Sequence, residues 1–515
     1  MKTETETDTN LEMDHKSIKT LGQLKQSEWQ DRSVKNEIRE NLIRKLQLND
    51  PLFPGILGYE KTVIPQIINA LLARHDMILL GLRGQGKSKI LRLLVNFLDP
   101  YMPVVEGSEI NDNPFRPYSK YARNLIDQHG GETPIEWIHR SERYGEKLAT
   151  PDTAVADLVG DIDPIKAASK KLNLSDEEVI NFGLIPHVNR GIFAINELPD
   201  LQPRIQVALL NIMQERDIQI RGFNIRFPLD VLIAFSANPE DYTNRGNIIT
   251  PLKDRIDSQI ITHYPRNTDI GRKITQQEAW SDRDQVEVSV PDIMNEIVEQ
   301  ITIEARNSEY IDQKSGVSTR LTITAMEQVI SSAEQRAISN GEQQTVVRVT
   351  DLFNMVPALT GKLELVYEGE QEGAMNVAKH LIGKGIDSVF KQHFPDPQAK
   401  KKKKNEESEN PYKKISGWFE NGNSLVISDR MDTTNYRDTL NNVPELDAIS
   451  NKFTSTETED EKYAIMDLVI EALHQNSILG KDDSDGRNSY TDMLGSVLGN
   501  IDDIEDYDDF DDYDR

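Results

Sequence analysis

One segment of eight residues limits the fold of this chain more than any other feature. It reads Gly81-Leu82-Arg83-Gly84-Gln85-Gly86-Lys87-Ser88 and fits the pattern G-x-x-x-x-G-K-[ST] of a phosphate-binding loop. In that pattern the glycine-rich backbone turns its N–H groups around phosphates, Lys87 brings a charge to the β- and γ-phosphates, and Ser88 can ligate Mg²⁺. The apolar run Met77-Ile78-Leu79-Leu80 precedes the loop, and residues 89–98 show helical spacing. The segment therefore predicts a strand, a loop and a helix that together bind a nucleotide with magnesium.

Two further apolar runs end in polar residues, as expected for strands beside such a loop. Residues 191–195 end in Asn196 and Glu197. Glu197 is the predicted general base that polarises an attacking water, whereas Asn196 stands where a carboxylate usually supports the metal. Because a neutral side chain weakens a Mg²⁺ site, Asn196→Asp is expected to lower the Mg²⁺ requirement. The second run, residues 231–236, precedes Asn238, whose amide is predicted to reach the γ-phosphate or the lytic water.

The composition narrows the class of protein. The chain has 515 residues, no cysteine and a formal net charge of −27. The lack of cysteine excludes disulfides, Cys nucleophiles, iron–sulfur clusters and thiolate zinc sites. The first ten residues are polar and acidic, unlike a signal peptide, and no apolar run is long enough to cross a bilayer. We therefore expect a cytoplasmic protein with no membrane span.

Hydrophobic patterning divides the chain. Residues 52–265 alternate short apolar runs with amphipathic stretches, which is typical of an α/β fold with a largely parallel sheet and helices on both faces. Helical spacing dominates from about residue 288 to 362, whereas the lysine run at 400–404 and the acidic C-terminal segment are too polar to bury a core. The predicted domains are a polar arm at 1–33, an α/β core at 34–270, a helical lid at 271–372, a linker at 373–410, a small helical module at 411–480 and an acidic disordered tail at 481–515.

The order of the motifs resembles that of the AAA+ ATPases, and within them the magnesium-chelatase ATPase subunit (subunit I) and its MoxR-like relatives. The resemblance covers about residues 53–363 and implies a P-loop AAA+ core with a parallel sheet flanked by helices, a helix-2 insert opening at residue 157 and a hairpin at 218–228. Its most specific segments are Asn189-Arg190-Gly191-Ile192-Phe193-Ala194-Ile195-Asn196-Glu197-Leu198, Ser236-Ala237-Asn238-Pro239-Glu240-Asp241 and Pro251-Leu252-Lys253-Asp254-Arg255.

The resemblance also implies a role for each candidate residue. Residues 81–88 would hold ATP, and Ser88 and Asn196 would hold Mg²⁺. The residues implied to act in catalysis are Lys87, Glu197, Asn238 as the first sensor, Arg255 as an arginine finger that reaches a neighbour's ATP, and Arg320 as the second sensor on the lid.

The function implied by the resemblance is Mg-dependent ATP hydrolysis by a ring, expected to be a hexamer, that remodels or activates a protein partner. In this family the partner often carries a von Willebrand A domain. The neutral Asn196 favours one alternative, an ATP-gated scaffold with little hydrolysis. Two others are a DNA-acting AAA+ motor and a sigma-54-type transcriptional regulator, although no GAFTGA-like loop is present. Nucleic acid is the less favoured partner, since only Arg221, Arg226 and the run at 400–404 are basic features that suit it.

Overall fold

The computed structural model describes residues 17–173, 176–215, 217, 227–238, 247–398, 410–454, 458–484 and 486–493. The chain forms two compact units, residues 1–264 and 265–515. Within the described ranges, no helix combines the length and the apolar character that crossing a membrane requires.

The first unit is built around a parallel sheet. Its helices are α1 (Leu21–Gln26), α2 (Val34–Leu48), α3 (Val63–Leu72), α4 (Lys87–Leu93), α5 (Lys120–His129), α6 (Val155–Leu158), α7 (Pro164–Lys170), α8 (Leu184–His187), α9 (Pro203–Gln214) and α10 (Thr250–Arg255). Its strands are β1 (Met77–Leu80), β2 (Tyr101–Val105), β3 (Ile135–His139), β4 (Tyr144–Leu148), β5 (Gly160–Ile162), β6 (Ile180–Phe182), β7 (Gly191–Asn196), β8 (Val231–Ala237) and β9 (Ser258–Ile261).

Five strands of this unit pair in the order β4-β7-β8-β1-β9, and every pairing is parallel. Strands β7 and β8 are buried at each residue, because helices cover both faces of the sheet. Alternate residues of β1 and β8 join two separate apolar clusters, one with α2, α3 and α4 and the other with α9 and α10. The predicted parallel sheet flanked by helices is confirmed.

Two shorter pairs complete the unit. Strands β2 and β3 pair antiparallel, and so do β5 and β6, which lie within the predicted helix-2 insert. The predicted hairpin at 218–228 lies outside the described residues, apart from 227 and 228.

The second unit is mainly helical. Its helices are α11 (Thr268–Glu278), α12 (Asp292–Asn307), α13 (Arg320–Asn340), α14 (Val349–Phe353), α15 (Val356–Thr360), α16 (Tyr367–Glu372), α17 (Ala374–His393), α18 (Lys413–Glu420), α19 (Thr433–Asn441), α20 (Leu446–Phe453) and α21 (Glu459–Gln475). Its strands are β10 (Glu287–Ser289), β11 (Gln344–Val346), β12 (Leu425–Ser428), β13 (Leu479–Ser484) and β14 (Arg487–Asp492). One continuous apolar core extends from α12 to β14.

The predicted linker at 373–410 is wrong over its first half. Residues 374–393 form the 20-residue helix α17, which packs against α12 and α21. Gly383 and Gly385 lower the helix propensity of this segment, and so they obscure its pattern. They also permit close packing, because a Cβ at residue 385 would lie 2.6 Å from a side-chain carbon of Ile301 in α12. The lysine run at 400–404 lies outside the described residues.

The predictions for both ends of the chain also need correction. Leu21 and Leu24 of α1 are buried with Ile135, so the described part of the polar arm packs on the first unit. At the other end, residues 481–484 and 487–492 belong to an antiparallel sheet of order β12-β14-β13 rather than to a disordered tail. The predicted helical module at 411–480 therefore contains strands, and it shares the core of the lid helices.

Buried partners explain why such a polar segment is ordered. Glu471 of α21 is 0% exposed and accepts hydrogen bonds from the Tyr490 hydroxyl at 2.6 Å and the Lys481 ammonium at 2.9 Å. Two charged groups and a phenol thus satisfy one another inside the core, with the aromatic ring of Tyr490 only 1% exposed.

Two truncated chains test this assignment. A chain that ends at Lys481 loses β14 and the Tyr490 partner of a buried carboxylate, so its unfolding midpoint is expected to fall by roughly 5 °C or more. A chain that ends at Met493 keeps every described contact of the sheet and should unfold at the temperature of the full chain. Equal midpoints for the two truncated chains, measured by calorimetry, would contradict the assignment of β13 and β14 to the core.

Candidate functional site

The phosphate-binding loop joins strand β1, which lies between β8 and β9, to α4. Gly86 has φ 72° and ψ 11°, in the left-handed region where a residue with a Cβ is strained. At Gly81 the restriction is space, since a Cβ would lie 2.0 Å from Thr262 Oγ1 and 2.2 Å from Gln85 Oε1. Gly86 is therefore favoured by its backbone conformation and Gly81 by the side chains around it, as expected for a loop whose N–H groups surround a phosphate.

Hydrogen bonds from Tyr59 and from the segment after β9 stabilise the conformation of the phosphate-binding loop. Thr262 Oγ1 donates to Gln85 Oε1 at 2.5 Å, and the Tyr59 hydroxyl lies 2.9 Å from the Gln85 carbonyl oxygen. The Tyr264 hydroxyl donates to the Arg83 carbonyl at 3.0 Å. Burial raises the pKa of Tyr59 to about 12, so this phenol stays protonated and keeps its donor. The loop is thus held in shape by its own unit.

Lys87 and Ser88 open α4. The buried Lys87 ammonium donates to the carbonyl oxygens of Gly81 and Leu82, the second at 2.9 Å, which keeps its charge against the loop. Ser88 Oγ donates to Asn196 Oδ1 at 3.2 Å. Because Asn196 is the last residue of β7, this contact brings together two positions that are 108 residues apart in the sequence.

Asn196 is held at both ends of its amide. Its Oδ1 also accepts from Ser236 Oγ of β8 at 2.8 Å, and its Nδ2 donates to Glu146 Oε1 of β4 at 2.5 Å. Glu146 in turn accepts two hydrogen bonds from the exposed Arg92 guanidinium, at 2.7 and 3.1 Å. Glu146 and Arg92 were not among the residues predicted from the sequence, and Ser236 was part of a predicted motif but had no predicted role.

Glu197 and Asn238 follow the ends of β7 and β8. Glu197 has φ 55° and ψ 49°, an uncommon backbone conformation for a residue with a side chain and one often found at functional sites. Its N–H lies 3.4 Å from Ser236 Oγ. Asn238 follows Ala237, whose carbonyl accepts from the Gly81 N–H at 3.2 Å, and its buried Oδ1 has no hydrogen-bond partner among the described residues. The two strand ends therefore meet at the start of the loop.

The Asn189-Arg190 pair stabilises the fold at the other end of β7. Asn189 Nδ2 donates to the Ile110 carbonyl at 3.0 Å, and Arg190 Nη1 donates to the Pro103 carbonyl at 2.8 Å. Burial lowers the pKa of Arg190 to about 10. The Arg190 carbonyl accepts from the fully buried guanidinium of Arg143 at 2.9 and 2.6 Å. These contacts position the start of β7, whereas Asn196 and Glu197 lie at its far end.

The two predicted arginines lie in different units. Arg255 is the last residue of α10, where its guanidinium donates to Gln214 Oε1 at 3.0 and 2.8 Å and to the Pro251 carbonyl at 2.9 Å. It is thus attached to α9 and α10 within its own chain. Arg320 is the exposed first residue of α13 in the second unit. Their roles towards ATP remain predictions.

The residues at the loop fit Mg²⁺ and a triphosphate. Within the described ranges, no group of three His, Cys, Asp or Glu side chains could hold a metal ion by itself. Ser88 Oγ and Asn196 Oδ1 are hard oxygen ligands of the kind Mg²⁺ takes, with phosphates and water supplying the remainder. The buried Asn238 Oδ1 could accept a hydrogen bond from a water beside the γ-phosphate, and the left-handed Gly86 suits a loop that surrounds phosphates.

The parallel sheet, the loop after strand β1 and the polar ends of β7 and β8 define a P-loop α/β fold of the AAA+ type. No protein-family model matches the chain. The magnesium-chelatase subunit ChlI of Euglena gracilis is 24% identical over 331 residues, which cover 59% of this chain and 88% of that protein. This similarity agrees with the resemblance to subunit I of magnesium chelatase that the sequence motifs indicate.

Solved structures include two with partial likeness. One is a complex between subunits BchI and BchD of magnesium chelatase, with 20% identity, a TM-score of 0.33, and coverage of 62% of this chain and 98% of that chain. The other is NtrX from Brucella abortus, with 13% identity, a TM-score of 0.30, and coverage of 59% of this chain and 52% of that chain.

Proposed function

We propose that the chain binds Mg²⁺ and ATP at residues 81–88 and hydrolyses the ATP. The observation that carries this proposal is the contact of Ser88 with Asn196, which joins the phosphate-binding loop to the strand that bears Glu197. A loop that only bound phosphate would need neither the polar end of β7 nor a carboxylate beside it. The AAA+ relationship supports the same assignment.

Each residue has a part in the proposed reaction. Bound Mg²⁺ would neutralise charge that develops on the β- and γ-phosphates. Lys87 supplies a fixed positive charge, and Ser88 with Asn196 offers the metal two oxygen ligands. Glu197 accepts the proton of the attacking water as general base, and Asn238 orients that water or the γ-phosphate.

Hydrolysis is proposed to occur in a ring, expected to be a hexamer. Arg255 would act on the ATP of a neighbouring subunit, and its attachment to Gln214 and Pro251 holds the guanidinium at the end of α10. One solved structure with partial likeness to this chain is a complex between two different magnesium-chelatase subunits. By analogy, we propose that this ring remodels or activates a protein partner, with a von Willebrand A domain as the first candidate.

Glu197→Gln tests the hydrolytic role. Glutamine keeps the size of the side chain but cannot accept a proton, so turnover is expected to fall on the order of 10²-fold or more while ATP binding is retained. Steady-state phosphate release and calorimetric ATP titration measure the two properties. The matched control is Glu215→Gln at the exposed end of α9, which should leave both unchanged. Unchanged turnover in Glu197→Gln would move the general base elsewhere, and absent turnover in the wild type would favour an ATP-gated scaffold.

A further inference from the structure

The neutral Asn196 lies beside a carboxylate from another strand. Glu146 is on β4, which pairs with β7 in a register that sets Glu146 opposite Ala194 and Leu148 opposite Asn196. From that position its Oε1 accepts the Asn196 Nδ2 hydrogen bond at 2.5 Å. Its side chain is 21% exposed, and the Arg92 guanidinium binds both of its oxygens.

The two ends of the Asn196 amide therefore have different surroundings. A carboxylate can only accept hydrogen bonds, so the end of the amide that faces Glu146 must be the NH₂ group. The opposite end, Oδ1, then faces the hydroxyls of Ser88 and Ser236. A rotated amide would place its oxygen against the oxygens of Glu146, and this repulsion excludes the rotated form.

We propose that Glu146 is a positioning residue that fixes the Asn196 amide with its carbonyl oxygen towards Ser88 and the Mg²⁺ site. The inference rests on the proposed function, because it explains how the neutral side chain of Asn196 can act as a metal ligand. Arg92 of α4 also contacts Glu146 in a bidentate ion pair, but its side chain is exposed, so this pair is expected to contribute little to the position of Glu146.

The contact between Glu146 and Asn196 also changes the expected effect of Asn196→Asp, which the sequence alone predicts to lower the Mg²⁺ requirement. An aspartate at residue 196 would bring two carboxylates into contact, and like charges at such a distance disfavour each other. The substitution alone is therefore expected to destabilise the site. A second change, Glu146→Gln, should relieve the contact, because the glutamine NH₂ can donate to the new carboxylate. In the double variant the donor would lie on β4 and the acceptor on β7, the reverse of the wild-type arrangement.

The experiment uses the full chain and two measurements that do not require hydrolysis. The first is the Mg²⁺ concentration for half-maximal binding of a fluorescent ATP analogue. Glu146→Ala should raise it about 10-fold, as expected for loss of a partner that orients a metal ligand. Arg92→Gln is the matched control: it removes the exposed ion pair but leaves Glu146, so its shift should be clearly smaller.

The second measurement is the unfolding midpoint without nucleotide or Mg²⁺. Asn196→Asp should lower it by roughly 3 °C, and the Glu146→Gln/Asn196→Asp double variant should restore most of that loss. Rescue by the second change requires direct contact between the two side chains, which a general loss of packing would not reproduce.

The outcomes separate this inference from the function on which it rests. If the wild type and Glu146→Ala bind the analogue with superimposable Mg²⁺ titrations, the positioning role is wrong and the nucleotide site stands. If Arg92→Gln shifts the titration as far as Glu146→Ala, the effect belongs to the ion pair between α4 and β4 rather than to the hydrogen bond of Glu146 with Asn196, and the inference is again wrong. If the wild type does not bind the analogue at any Mg²⁺ concentration, the proposed function fails, and the inference fails with it.

Discussion

Lys87→Ala is expected to abolish ATP binding within the range that calorimetry can measure. The Lys87 ammonium is buried against the loop by the carbonyl oxygens of Gly81 and Leu82, so its charge is fixed where the β- and γ-phosphates would lie. Removing it leaves the polyphosphate charge without its nearest positive group, and the alanine side chain supplies no replacement.

The matched control is Lys89→Ala, two residues along the same helix. Lys89 is exposed and donates to the Gly55 carbonyl at 3.2 Å, so the same change of charge is made away from the loop. This control should bind ATP as the wild type does. If Lys87→Ala bound ATP within about threefold of the wild-type affinity, Lys87 could not be the phosphate ligand.

Arg255→Ala is expected to reduce turnover about 10³-fold, the effect of losing an arginine that stabilises charge in the transition state of phosphoryl transfer. The reduction should occur without loss of ATP binding, because the guanidinium is attached to α9 and α10 and not to the loop residues of its own chain. Lys253→Ala removes an exposed charge from the same helix and serves as the control.

A mixing experiment tests whether Arg255 acts on a neighbouring subunit. Rings that contain both Arg255→Ala and Glu197→Gln chains have some interfaces with an intact finger and an intact base. Turnover in the mixture should therefore exceed that of either variant alone. If co-assembled rings showed no such gain, Arg255 would act within its own subunit or have no part in hydrolysis.

The local part of the site was predictable from the sequence, because the loop motif specifies its own geometry. Lys87 and Ser88 directly follow Gly86 in the sequence, and the apolar run just before the loop predicts β1. Asn196 and Asn238 were predictable for a similar reason, since polar residues at the ends of buried parallel strands meet at one edge of a sheet. The structure brings Ser88 and Asn196 together as this argument requires.

Glu146 was not predictable in the same way. It lies in the middle of β4, where intermediate burial gives no clear alternation, and only the register of β4 against β7 brings it to Asn196. The register depends on the whole sheet and is not encoded near residue 146. A glutamate in such a strand is usually taken as solvated surface, and nothing in its neighbours indicates an amide partner 50 residues further along the chain.

In the C-terminal half of the chain, the sequence pattern also failed to predict two ordered segments. Helix α17 carries Gly383 and Gly385, which weaken the helical pattern although Gly385 allows α12 to pack closely and Gly383 leaves room for Gln475 of α21. Similarly, the acidic composition of residues 481–492 predicts disorder, whereas Lys481 and Tyr490 are ordered by the buried Glu471 of α21. In both cases a tertiary contact determines the local structure, and composition alone gives the opposite answer.

Phosphate release by the purified wild-type chain with ATP, in Mg²⁺ and in excess EDTA, shows whether the chain hydrolyses ATP. We expect multiple turnovers in Mg²⁺, none in EDTA, and a turnover per subunit that rises with protein concentration as interfaces form. ATP that binds at residues 81–88 and remains intact through prolonged incubation with Mg²⁺ would contradict hydrolysis at this site, because Glu197 would then have no reaction to catalyse.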